Sequence, residues 1–302
     1  MGVAIAPSWE FRVARLALGL VLGAWLNALA PAAQAETLIW AGSPYAPMAI
    51  RGGALNQQGY VDRMLNEVLR PRLPQYQHVV WDVSPNRLER ELLRPGQAVC
   101  SIAISKTPSR AERYAYTEPL FRFLPSGLVL RRLDPFTPHD DGARTPLSLR
   151  AVFAQGLRLG LVGFRAQGEP VDALLAEHPE RIQRFHLATA NQSVLAMLAR
   201  GHAVDAVLAY EFELTYFTSQ QPELGQRLVW WPLAELGGTQ LSYVACSRNP
   251  EGQQAAAAID ALLAQAALRE RIQLLYEAWL DEPSRQQLRS MQMRMGAQFW
   301  RE

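Results

Sequence analysis

The 302-residue sequence predicts an α/β protein of two lobes, each a mostly parallel sheet with flanking helices. Three observations lead there. Apolar strand-like runs alternate with segments of helical period. The alternation occurs twice. A polar, proline-rich stretch, "RRLDPFTPHDDGARTP" over 131–146, separates the two series. Strands joined through helices lie parallel in one sheet, because the crossover carries the chain back to the same edge direction.

The first 35 residues are set aside before the fold is read. Arg12 and Arg15 precede an apolar run from Leu16 to Ala30, and Ala33-Gln34-Ala35 supplies the small residues of a signal peptidase site. The run is shorter than the roughly 20 residues a membrane span needs, so a cleaved signal peptide over 1–35 is expected, with export to the periplasm. No cysteine follows Ala35 to support a lipid anchor.

In the first series, "TLIWAG" reads as a buried strand and "GYVDRMLNEVLRPRL" as a helix, with Val61, Met64, Leu65 and Val68 at helical spacing. "HVVWDV" is a strand, "NRLERELLRPG" a short helix stopped by Pro95 and Gly96, and "AVCSIAI" a third strand. The second series runs "LRLGLVGF" (strand), "EPVDALLAEHP" (helix), "RIQRFHLA" (strand), "NQSVLAMLARG" (helix ended by Gly201) and "AVDAVLAY" (strand). A last strand, "LSYVACSR", precedes the alanine-rich helical region "QQAAAAIDALLAQAALRERIQLLYEAWL".

Composition narrows the function. The formal charge of +2 falls by one when Glu10, Arg12 and Arg15 leave with the leader, so no global field draws nucleic acid or a membrane surface. Lys106 is the only lysine, so an arginine by itself signals little and its position must carry the argument. Cys100 and Cys246 form no metal signature, no histidine cluster accompanies them, and no cofactor is expected. In an exported chain they are either a disulfide or two buried thiols, and their spacing does not choose.

Position is most telling in "SKTPSRAERYAYTEPLF" (105–121). Thr107 suits a helix N-cap and Pro108 the first helical position. Arg110 therefore stands in a first turn, where exposed N–H groups and the helix dipole favour negative charge. An anion from elsewhere would make a cation there favourable.

Thr107-Pro108, Arg110, Tyr116-Thr117 and Glu118-Pro119 fit, without a gap, the pattern of the family 3 extracellular solute-binding proteins, and the chain resembles that amino-acid-binding-protein-like family over nearly its whole mature length. Gly59-Tyr60, "LARGHAVDAV" and "LYEAWL" add to the resemblance. It also resembles an uncharacterised branch in which a cysteine replaces an aspartate before the third strand.

The resemblance implies a periplasmic-binding-protein-like (type II) fold. Residues 36–130 would begin lobe 1, 131–241 would form lobe 2, and 242–302 would return to complete lobe 1, with the solute between the lobes. It implies that Arg110 grips a solute carboxylate through two parallel charge-assisted bonds, that Ser105 adds a hydroxyl or backbone contact, and that Tyr45 forms an aromatic wall. Arg113 is expected at the surface and Trp40 in the core.

In lobe 2 the family's ligand-binding turn corresponds to Gly163-Phe164-Arg165-Ala166-Gln167, whose backbone suits an anion and whose Arg165 adds positive charge if it faces the cleft. Asn191 is a plausible N-cap for the next helix and serves either that helix alone or the ligand as well. Where amino-acid binders carry an aspartate for the ammonium, this chain has Tyr210 followed by Glu211. The returning strand would run antiparallel beside the third, which implies a Cys100 to Cys246 disulfide.

A monomeric, non-enzymatic receptor for a small carboxylate-bearing solute is the expected function, serving an inner-membrane ABC transporter, with no nucleic-acid partner. The alternatives are a dehydratase-type enzyme using Glu211 or Glu118 in the cleft, and a soluble sensor with a signalling partner.

Overall fold

The structure is a computed structural model that describes residues 1–2, 35–140, 142, 144–163, 165, 167–186 and 190–301. The leader expected over 1–35 lies almost wholly outside the described residues, as does Phe164. The chain divides into two units, Met1–Glu36 and Thr37–Glu302, and the second holds both lobes. Among the described residues no helix is long and apolar enough to cross a membrane.

The first lobe opens with β1 (Glu36–Gly42), whose centre is buried on both faces as a parallel strand covered by helices requires. Helix α1 begins at Tyr60–Arg63 and continues as a π-helical stretch, Met64–Leu69, and a 3₁₀ turn, Arg70–Arg72. Then come β2 (Tyr76–Asp82), α2 (Pro85–Glu91), β3 (Ala98–Ile104), α3 (Pro108–Arg113), β4 (Tyr114–Tyr116) and β5 (Phe121–Phe123). β1 and β3 are parallel neighbours, Leu38 opposite Ala98.

The chain passes to a second sheet between Phe123 and Gly127. That sheet holds β6 (Gly127–Arg131), β7 (Leu159–Val162), β8 (Ile182–Phe185), β9 (Ala206–Ala209) and β10 (Leu228–Pro232), in the order β10-β6-β9-β7-β8. Its helices are α4 (Leu149–Ala154), α5 (Glu169–Glu177), α6 (Ala190–Ala199), α7 (Glu211–Gln220) and the short α8 (Pro222–Gly225). β7 runs parallel to β8 and β9, whereas β6 is antiparallel to β9 and β10.

β11 (Gln240–Ser247) returns to the first sheet, whose order becomes β2-β1-β3-β11-β4 with β5 also on β11. β11 is antiparallel to β3, and Cys246 stands directly opposite Cys100. The two are joined in a disulfide with Cα atoms 4.0 Å apart, both fully buried. The alanine-rich region forms α9 (Pro250–Leu263) and α10 (Ala266–Glu277), followed by α11 (Glu282–Met295).

Between the lobes, Tyr60 of α1 meets Phe121, Phe212 and Tyr276 edge to face at 5.6 to 5.9 Å. Such pairs prefer this geometry because the electron-poor edge of one ring meets the electron-rich face of another. The polar connection over 131–146 is partly internal: the Arg144 guanidinium is 3% exposed and pairs with Asp140 and with Asp281, the N-cap of α11, at 3.1 and 2.7 Å. A proline-rich composition marks a turn-filled path, and this arginine is drawn inward because two carboxylates wait for it.

Candidate functional site

Beyond the carboxyl ends of β1 and β3 lies a cavity of about 570 Å³, within the ordinary range for a small-molecule site. Gly42, Ser43 and Ile104 mark the strand ends; Val61, Asp62 and Leu65 come from α1, Val80 and Asp82 from β2, and Leu88 from α2. Arg165 and Tyr210 reach it from the second lobe.

The loop between β1 and α1 is folded against the helix it precedes. Tyr45 and Ala49 exchange backbone hydrogen bonds at 3.0 and 2.9 Å, and the carbonyls of Pro47 and Met48 accept from the N–H groups of Tyr60 and Val61. These carbonyls satisfy donors a helix start leaves orphaned. They come so close to Gly59 that a side-chain carbon there would collide with the Met48 carbonyl, which explains glycine before Tyr60. The result is a fixed arm that presents Tyr45.

At the outer side Arg51 bridges two acids. Its Nη1 meets Asp62 Oδ1 at 2.7 Å, while Nε and Nη2 fork onto Asp82 at 2.7 and 2.8 Å. Asp62 also accepts from the Ile50 N–H at 2.8 Å, and its side chain is 8% exposed. The Asp82 bonds, opposed by burial and aided by Asp62, raise the Arg51 pKa above its usual value. Both carboxylates are thereby committed to protein partners.

At the inner side stands Arg165. The preceding Gly163 has φ 58, a left-handed conformation that glycine adopts without a Cβ clash, and its N–H bonds the Phe185 carbonyl at 2.7 Å. The Arg165 guanidinium lies between two rings, 5.2 Å from the Tyr45 centroid and 4.9 Å from that of Tyr210. It forks onto Glu213, Nη2 to Oε1 at 2.8 Å and Nη1 to Oε2 at 3.1 Å, and also donates to Tyr45 Oη. Asn191 Nδ2 donates to Glu213 Oε1 at 2.6 Å and to the same tyrosine oxygen.

Glu213 occupies the third position of α7, from which its Oε2 accepts the Tyr210 N–H at 2.8 Å, the glutamate half of a capping box. Its side chain is 1% exposed. Burial pushes its carboxyl up to about 8 and pulls Arg165 down, while the two-pronged contact favours the ion pair. The chemical consequence is a desolvated cation, walled by aromatics, whose counter-charge is internal.

The structure brings Tyr45, Arg165, Asn191 and Tyr210 into one cluster. Asn191 is the second residue of α6, so it sits within the first turn and not at the cap. Arg110 lies outside this cavity: its side chain is 37% exposed, Nη2 is 3.8 Å from Glu89, and Nη1 donates to the Ser105 carbonyl at 3.4 Å. Ser105 is exposed and follows Ile104, which lines the cavity. Thr107 caps α3, its hydroxyl accepting the Arg110 N–H at 3.3 Å. Arg113 is at the surface over the Tyr114 ring.

Trp40 is 3% exposed, donates to His78 Nδ1 at 2.9 Å and contributes to the cavity wall. Glu211 points into a different environment: Oε1 accepts from Thr215 Oγ1 and the Asp281 N–H, and Oε2 is buried with no hydrogen-bond partner among the described residues. Glu118 is exposed. The sequence singles out none of Glu213, Arg51, Asp62 and Asp82. The one available signal is the spacing of Glu213, three residues beyond Tyr210 at a helix start. Among the described residues no group of acids, histidines and cysteines could hold a metal ion.

No protein-family model and no curated protein matches the sequence. Solved structures do match its fold. A mutant form of ArgBP from T. maritima is 18% identical, covering 81% of this chain and 95% of that one with a TM-score of 0.55. A structure concerned with glutathione import via GshT and the cystine ABC importer of Streptococcus mutans is 13% identical over 83% and 99%, TM-score 0.58. A histidine kinase sensor domain with similarity to periplasmic binding proteins is 15% identical over 81% and 96%, TM-score 0.56. At these identities the likeness shows the fold: a two-lobed, periplasmic-binding-protein-like molecule, consistent with the family 3 resemblance of its motif.

Proposed function

We propose that this chain is a solute-binding protein that captures a small carboxylate-bearing solute in the cavity between its lobes. In this reading it works in the periplasm as a monomer, after removal of residues 1–35, and delivers the solute to an inner-membrane ABC transporter. The observation that carries the reading is Arg165, a cavity-lining guanidinium held between Tyr45 of the first lobe and Tyr210 of the second. A planar cation flanked by aromatic rings offers its edge to a carboxylate; Glu213 occupies that edge here, and the solute's carboxylate would take it over.

Apolar walls from Met48, Leu65, Val80, Leu88 and Ile104 suit the body of the solute. Arg110, in α3 just beyond the end of β3, meets the anion on approach; its 3.8 Å pairing with Glu89 is too exposed to hold it. Asp62 and Asp82 are engaged by Arg51, which leaves an ammonium no ready partner and favours an organic acid over an amino acid.

The test is a thermal-shift screen of the mature protein against organic acids, amino acids and short peptides, followed by calorimetry on the best solute. Arg165→Met should weaken it at least a hundredfold and Arg110→Ala severalfold. Unchanged affinity in Arg165→Met would reject the site.

The likeness to a histidine kinase sensor domain favours a second reading, a soluble sensor. Capture of the ligand-loaded protein by a transporter permease supports delivery; capture by a signalling protein supports sensing. A dehydratase draws no support from Glu211, whose partners Thr215 and Asp281 lie outside the cavity.

A further inference from the structure

We propose that Glu213 is an internal stand-in for the solute's carboxylate: an incoming carboxylate takes over the Arg165 fork, and Glu213 takes up one proton from solvent as it yields. The inference rests on the carboxylate-binding reading and says how the site admits a second negative charge.

The charge balance carries it. Glu213 is bonded by Arg165 from the turn after β7, Asn191 from α6 and the Tyr210 N–H at the start of α7, and Tyr45 from the β1–α1 loop accepts from the same Arg165 and Asn191. Tyr60 of α1 and Tyr276 of α10 pack behind, and burial raises both phenols well above their usual range, so they stay neutral. Arg165 and Glu213 are thus the opposed charges of this inner cluster, apart from the Arg51, Asp62 and Asp82 group at the outer side, and they cancel. A solute carboxylate arriving at Arg165 would add a full negative charge a few ångströms from Glu213 in a site with little water. Two carboxylates so placed do not both remain ionised; one holds a proton.

The proton goes to Glu213 and not to the solute. The Glu213 side chain is 1% exposed, and protonation leaves it able to donate within the cluster while its Oε2 continues to accept from Tyr210. Burial, offset in part by the Tyr210 N–H, already pushes its carboxyl up to about 8, and above that pH the unliganded carboxylate has a proton to take up. Before and after binding the cluster carries the same net charge. Arg165 keeps a partner throughout, which avoids the cost of an unpaired buried cation.

A suitable probe is 3-phenylpropanoate, an apolar body with one carboxylate, compared with its neutral amide. Calorimetry at pH 9 in two buffers of different ionisation enthalpy counts protons. The acid should bind wild type with uptake close to one proton, and the amide with none. Affinity for the acid should fall as pH rises above about 8, approaching tenfold per pH unit. Glu213→Gln, neutral and of equal size, should bind the acid with no uptake and a flat pH profile.

Binding of the acid to wild type without proton uptake would overturn the proposal while leaving a solute site, and it needs no variant. Equal uptake in Glu213→Gln would overturn it as well, by assigning the proton to another group. If the acid binds neither protein between pH 6 and 9 the proposal also falls. The wider screen then separates the two readings: another solute found there keeps the binding protein, and none found removes both.

Discussion

Tyr45 lays its ring over the Arg165 guanidinium, 5.2 Å from the charge centre, and so ties the β1–α1 loop of one lobe to the turn after β7 of the other. A cation held over a ring away from water is worth about 2 kcal/mol. Tyr45→Ala should therefore weaken carboxylate binding about 10 to 30 fold and enlarge the radius of gyration in X-ray scattering. Tyr45→Phe, which keeps the ring and loses only the hydroxyl bonds, should cost about 1 kcal/mol. Equal affinity in Tyr45→Ala and wild type would remove the aromatic wall from the mechanism.

Glu211 makes the fold sensitive to alkali. Burial, with a smaller push from Asp281, raises its carboxyl from 4.5 to about 8. Between those values the folded chain holds a proton that the unfolded chain has released, so stability falls as pH rises through the window. Glu211→Gln should match wild type near pH 5 and unfold at a higher temperature near pH 9. A residual slope from Glu213 should remain. Thermal denaturation across pH 5 to 9 measures both, and parallel curves for the two proteins would contradict the assignment.

The Cys100 to Cys246 bridge closes a sequence separation of 146 residues between adjacent strands of the first sheet. Chain entropy for a loop of that length sets an upper value of about 5 kcal/mol. Replacing both cysteines with alanine should lower the unfolding midpoint in urea by a clear margin. Solute affinity should change little, since neither residue lines the cavity. A midpoint identical to wild type would show that the strand pairing needs no covalent support.

Gly127 marks the entry into the second sheet, opposite Pro232 on one side and Ala209 on the other. A side-chain carbon there would overlap the Trp231 carbonyl and the Trp230 indole, which is fully buried and bonded to the Ala209 carbonyl at 3.0 Å. Gly127→Ala should destabilise by about 1 to 3 kcal/mol, the usual range for overpacking. An unfolding midpoint equal to wild type would mean the sheet has room that the structure denies.

Much of the scaffold is legible from pattern. "AVCSIAI" coincides with β3, and "TLIWAG" falls one residue inside β1. The alanine-rich region reads as one helical stretch and is two helices, α9 and α10, broken around Ala264 and Gln265. Alanine favours helix on either side of such a break, so propensity does not mark it; the first helix ends where Gln265 turns extended (φ −81, ψ 109), its N–H reaching only three residues back to Leu262 at 3.0 Å. Around the site, Arg165 and Tyr45 are legible as residue types at suggestive places. Glu213 is not, because its signal as a helix-capping glutamate is the same whether or not a guanidinium faces it.

By itself the sequence determined the alternation of strands and helices, the division into two series, and the cysteine and arginine inventory. Those properties are local, set by the period of apolar residues and by turn chemistry within a few positions. Only the tertiary structure decided which thiols meet and which guanidinium enters the cavity. It also decided which acid is already spent on it. Cys100 meets Cys246 because β11 returns antiparallel to β3, and Arg165 meets Tyr45 and Glu213 across 120 and 48 positions of chain. Charge and hydrogen bonding act through space at a few ångströms, so the partners of a buried ion are settled by the packing of distant segments and not by its neighbours in the chain.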